Sequence, residues 1–154
     1  MTTLVRRYIK TSFAFLVLGL ALGAYITVEV NLRGHGVPWP LMTAHAHLLL
    51  VGFMLTMVFG VATWMFPRPG KGATRYHPGV AEAVYWILTA STVARVAGEV
   101  GAGAMGARGS SLAALGGLGQ VAAGLLFVVN MWSRVRMPGS SAGGGAGQDS
   151  DVSR

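Results

Sequence analysis

The chain has 154 residues, room for one compact domain. Apolar types make up 53% and charged types 11%, where a soluble domain carries about 25% charged residues. With a mean hydropathy of +0.55, that composition argues against a soluble globular enzyme and against a disordered chain. The net charge of +7 does not point to nucleic acid, because the cations stand in short clusters between apolar stretches. Cysteine is absent, which removes disulfides, thiolate metal sites and iron–sulfur clusters. Four histidines are left as the main candidates for cofactor chemistry.

Four apolar stretches approach the roughly 20 residues that cross a bilayer. They run over about Thr11–Val30, Leu41–Phe66, Val80–Gly98 and Leu112–Trp132. The fold class expected is therefore an all-α membrane protein with four transmembrane helices. The first stretch is followed by further spans and has no clear small-residue cleavage site, so it reads as a span and not as a cleaved signal peptide.

Arg6, Arg7 and Lys10 precede the first span. Arg68, Lys71 and Arg75 lie between the second and third, and Arg134 and Arg136 follow the fourth. Only Arg33 and Arg108 fall in loops on the other side. This bias predicts both termini in the cytoplasm. The membrane expected is the inner membrane of a bacterium or archaeon. Trp39, Trp64, Tyr76 and Trp132 stand near span ends, as interfacial anchors do. The transmembrane domain is expected over 1–137. The segment 138–154 (PGSSAGGGAGQDSDVSR) reads as a disordered Gly/Ser-rich tail.

The second span opens Thr43-Ala44-His45-Ala46-His47. Imidazoles inside a span cost several kcal/mol unless they are satisfied. Each one either bonds a neighbouring helix or ligates a metal. Residues two apart are about 200° apart around a helix. His45 and His47 therefore cannot serve one metal ion while the helix stays regular. They can serve two cofactors, or contribute half of a site each. His35 sits in the first loop and His77 precedes Pro78 on the opposite side, too far from His45 to join it. Met54, Met57 and Met65 lie deeper on the same span and read as packing.

Positions 45, 49, 52, 56 and 60 share a helical face and read His, Leu, Gly, Thr, Gly. Gly52 and Gly60 either leave a flat slot for a porphyrin edge or mark a close helix–helix contact. Glu29, Arg95 and Glu99 gather toward the same membrane face as His35, His45 and His47. Arg95 is a candidate partner for a haem propionate or for Glu99, one turn away. Glu82 reads as an interfacial charge near the start of the third span.

Thr43-Ala44-His45-Ala46, followed by an apolar span ending Trp64-Met65-Phe66-Pro67, resembles the second helix of the haem–copper oxidase catalytic subunit, a superfamily that includes the nitric oxide reductases. The resemblance covers about 25 residues, roughly one sixth of the chain. It implies that His45 is an axial ligand of a low-spin haem near the outer face. Ala44-His45-Ala46-His47 is also similar to the AHxH motif on the tenth helix of that family, whose second histidine is the other axial ligand. The family has twelve helices in pseudo-threefold array, four to each arc.

The resemblance thus implies a trimer, with non-covalent haem b between His45 of one copy and His47 of the next, and with Gly52 and Arg95 beside it. A dimer with an internal or symmetric site is the other arrangement. The chain lacks the family's copper-ligating histidines and its cross-linked tyrosine, so the expected role is electron transfer rather than catalysis. Quinol or a respiratory or denitrifying complex is the expected partner. Two other classes fit the same residues. One is a non-redox accessory subunit. The other is a copper or zinc site built from Glu29, His35, His45 and His47.

Overall fold

A computed structural model describes residues 2–66 and 78–132. The expected tail 138–154, His77 and the clusters Arg68–Lys71–Arg75 and Arg134–Arg136 lie outside the described residues. Among the described residues the chain is helical, with no strand. Four helical runs are long and apolar enough to cross a membrane: Thr3–Leu32, Trp39–Met65, Gly79–Val100 and Ala107–Trp132. The protein is an all-α, four-span integral membrane protein that presents its surface to lipid.

The first and fourth spans run well beyond their apolar stretches, because polar residues at their N-terminal ends continue the helix. The first begins as α1 (Thr3–Thr27), with Thr2 as its N-cap. Arg6, Arg7 and Lys10 form its first turns. The run then widens into a π-helical turn, Val28–Leu32, that carries Glu29. The second span is α2 (Trp39–His47), a π-helical stretch Leu48–Leu55, and α3 (Thr56–Met65). Pro40 stands in its first turn, where a missing N–H costs nothing. The Thr56 hydroxyl donates to the Val51 carbonyl, five residues back, at 3.0 Å. That spacing matches the π-helical ladder.

The third span is α4 (Pro78–Val100) and the fourth is α6 (Ala107–Trp132). The connection between them is short. It holds a single turn, α5 (Ala102–Met105), and then Gly106 at φ +51°. That φ is a left-handed conformation that glycine adopts without steric cost.

Span two packs on α1 and on α4, and α4 packs along α6. No extensive contact joins α1 to α6 among the described residues. The α4–α6 pair is tight. A Cβ at Gly98 would stand 2.6 Å from the backbone nitrogen of Ala113, and one at Gly116 would stand 2.6 Å from the Ser91 carbonyl oxygen. Small residues let two backbones meet in this way.

The apolar core lies toward the N-terminal end of the bundle, here the proximal end. Tyr8, Phe59, Val84, Tyr85, Leu88 and Ala123 form it. Phe59 stacks on Phe127 at 3.6 Å between ring centroids, and Tyr8 meets Tyr85 edge-on at 5.0 Å. The Thr11 and Tyr85 hydroxyls pair at 2.8 Å, and the Tyr8 hydroxyl donates to the Ala81 carbonyl at 3.3 Å. Outside the core, Leu115, Leu118, Leu125 and Val129 of α6 and Phe13, Val17 and Leu20 of α1 are exposed. An apolar exterior of this extent suits lipid. Trp39, Trp64 and Trp132 are exposed at helix ends, the position of interfacial anchors.

Candidate functional site

The opposite, distal end of the bundle holds the ionisable residues that the sequence singles out. His45 and His47 sit in the last turn of α2 and point to different neighbours, as their separation around the helix requires. His45 faces α1. Its Nδ1–H donates to the Gly19 carbonyl at 2.9 Å. Gly23, one turn along α1, leaves the space the ring occupies: a Cβ there would stand 2.6 Å from His45 Cε1. Gly23 thus leaves room for the imidazole and the Gly19 carbonyl anchors it, while the missing side chain at Gly19 makes room for Leu49.

His47 faces α4. Its Nδ1–H donates to the Thr43 carbonyl at 2.8 Å, one turn back on its own helix. The same nitrogen lies 3.3 Å from Glu99 Oε1. Carbonyl oxygens only accept, so in both histidines the proton is on Nδ1. In the neutral ring Nε2 is then the nitrogen that carries the lone pair. Among the described residues neither Nε2 has a hydrogen-bond partner. Both rings are only partly buried.

Glu99 accepts from Arg95 Nε at 3.1 Å through the same Oε1. Arg95, on α4, lays its guanidinium against Gly117 of α6. The Glu99 side chain is 8% exposed, and its Oε2 is buried with no hydrogen-bond partner among the described residues. Glu99 is thus a partner of Arg95, as the one-turn spacing suggested. The pair keeps the formal charge at this depth balanced, which lowers the cost of holding ions away from water.

Gly52 lies on the face that packs on α1, where a Cβ would stand 2.8 Å from Phe15 Cγ. Gly60 meets Tyr8 in the same way, with 2.7 Å to its Cβ. The stripe 45, 49, 52, 56, 60 is thus the α1-facing seam of span two, and the Phe15 ring fills the space beside Gly52. The two small residues serve a close helix contact in this arrangement.

Glu29, on the π-helical turn of span one, forms a separate cluster. Arg33 Nη1 donates to its Oε1 at 2.6 Å, and His35 Nδ1 lies 2.9 Å from its Oε2. The Glu29 side chain is largely covered, while His35 and Arg33 are exposed. His35 is therefore tied to Glu29 and does not fold back onto His45 or His47. Among the described residues no three His, Asp or Glu side chains come together in a way that would hold a metal ion. Glu82, at the proximal end, pairs with Arg7 at 3.0 Å.

Sequence reasoning brought His45, His47, Arg95 and Glu99 to one end of the bundle, but it left out Gly19, Gly23 and Thr43, which hold the two rings. The signal for Gly23 was available: it stands one turn from Gly19, near the same end of span one, where only a residue without a side chain leaves room for a ring. Comparison with protein-family models, with curated proteins and with solved structures found no match.

Proposed function

We propose that this protein is an integral-membrane b-type cytochrome that moves electrons near the outer face of a bacterial or archaeal inner membrane. His45 of one copy and His47 of another would hold a non-covalent haem through Nε2, as the resemblance to the haem–copper oxidases implies. The observation that carries the reading is the shared pattern of the two imidazoles. Each donates Nδ1–H to a backbone carbonyl, which fixes the ring and the tautomer and leaves Nε2 as the ligand nitrogen. A bound haem supplies one-electron exchange at its iron. This chain's part is to orient the rings, and a haem held by two imidazoles would be suited to electron transfer rather than gas activation.

The two rings diverge, toward α1 and toward α4, so a haem that takes both kinds of histidine needs a second copy. A heterologous contact of this kind repeats around a ring, and three copies of four spans make twelve helices. The apolar, lipid-exposed faces of α1 and α6 leave those helices free to meet other copies. Quinol or a respiratory or denitrifying complex is the partner class this reading implies.

A second reading is favoured by the seam itself. Phe15 against Gly52 and Gly23 against His45 make a complete helix contact without a cofactor. In that case the protein is a non-redox accessory subunit whose histidines only tie helices together. The test is a reduced-minus-oxidised absorption spectrum of the purified protein, with iron analysis. A b-type spectrum with stoichiometric iron supports the cytochrome. Colourless protein without iron favours the accessory subunit, and copper or zinc without iron favours the metal site.

A further inference from the structure

His45 and His47 differ in what stands behind them. The Nδ1–H of His45 meets only a neutral acceptor, the Gly19 carbonyl at 2.9 Å. The Nδ1–H of His47 bonds the Thr43 carbonyl at 2.8 Å and also has a carboxylate oxygen, Glu99 Oε1, at 3.3 Å. We propose that Glu99, braced by Arg95, is a positioning residue that raises the electron-donating strength of His47 and so makes the two haem ligands inequivalent. This rests on the reading of the two imidazoles as ligands.

The geometry gives each residue a part. A carboxylate charge this close to a ligating imidazole favours positive charge on the ring, while the bond from Nδ1–H to the Thr43 carbonyl fixes its orientation, and the opposite nitrogen becomes a stronger donor. Arg95 Nε, 3.1 Å from the same Oε1, holds the carboxylate in place from one turn away. Glu99 is 8% exposed at its side chain, and its Oε2 is buried without a hydrogen-bond partner among the described residues. A helix tie alone does not need such a group. A neutral glutamine could accept from Arg95 through its carbonyl oxygen at less desolvation cost. What glutamine lacks is the negative charge beside His47.

The sign of the effect follows from charge. Oxidised haem carries one more positive charge than reduced haem, so a nearby carboxylate favours the oxidised form. Glu99→Gln should move the midpoint potential to more positive values and weaken haem binding about 10-fold or more, the usual scale for losing an outer-sphere partner. Arg95→Gln removes the opposing charge and should move the potential the other way. Glu82→Gln makes the same charge change at the proximal end and should leave the potential where it is.

The experiment is a redox titration and a haem titration of the full-length wild type and these three variants in detergent. Opposite shifts for Glu99→Gln and Arg95→Gln, with none for Glu82→Gln, are the expected result. Wild-type potential and haem affinity in Glu99→Gln would overturn the inference while leaving the cytochrome reading intact. A wild type that binds no haem would overturn both. If Glu99→Gln does not accumulate as folded protein, Arg95→Gln decides alone: a negative shift supports the inference, and no shift or a positive one contradicts it.

Discussion

Gly23 of α1 and His45 of α2 are complementary: the glycine leaves the volume that the imidazole fills, with Cε1 only 2.6 Å from where a Cβ at residue 23 would be. The ring's bond to the Gly19 carbonyl depends on that seat. Gly23→Ala should therefore push the ring off its hydrogen bond, and on the cytochrome reading it should lower haem content. Overpacking of this kind costs about 1–3 kcal/mol, so the variant should still fold. Gly36→Ala, with nothing within 4 Å of the added methyl, is the control. Haem content and thermal unfolding in detergent check both.

The shared-site reading predicts complementation. His45→Ala and His47→Ala chains should each lose haem when expressed alone. Mixed assemblies should recover part of it, at interfaces that keep one intact histidine from each copy. Differently tagged chains, purified through both tags, give the measurement. No recovery in confirmed mixed assemblies would count against a haem held between copies.

His35→Ala separates the cytochrome from a copper or zinc site. His35 is exposed and bound to Glu29, apart from the span-two histidines. The cytochrome reading predicts unchanged haem content in this variant. A metal site built from Glu29, His35, His45 and His47 predicts loss of the metal, which elemental analysis reads directly.

The close α4–α6 contact is a direct test of the fold. Gly98→Ala brings a methyl to 2.6 Å from the Ala113 backbone nitrogen, where no side chain can rotate away. The loss expected is about 1–3 kcal/mol or more, seen as a lower unfolding temperature. Gly124→Ala on α6 meets nothing within 4 Å and should be neutral.

The four spans were legible because apolar length is a strong signal in a bilayer protein. So was the seam at 45, 49, 52, 56 and 60, since small residues at helical spacing mark a close contact. Its partner was not legible: nothing local says that Phe15 and Tyr8 fill the space beside Gly52 and Gly60. The π-helical stretch Leu48–Leu55 left no pattern either, because its wider ladder is held by Thr56 reaching Val51 and by packing on α1. The Arg95–Glu99 pair could be read from i, i+4 spacing. The approach of Glu99 to His47 could not, since it depends on α4 lying beside α2. Spacing within one span showed that the two imidazoles diverge, and only the neighbours showed that one meets a carbonyl alone and the other a carboxylate as well.

The most direct measurement of the central claim is the axial coordination of the oxidised, purified protein, by electron paramagnetic resonance together with near-infrared magnetic circular dichroism. The account predicts low-spin ferric haem with two imidazole ligands, lost in both His45→Ala and His47→Ala. Protein free of haem, or haem whose spectra are unchanged when either histidine is replaced, would contradict it.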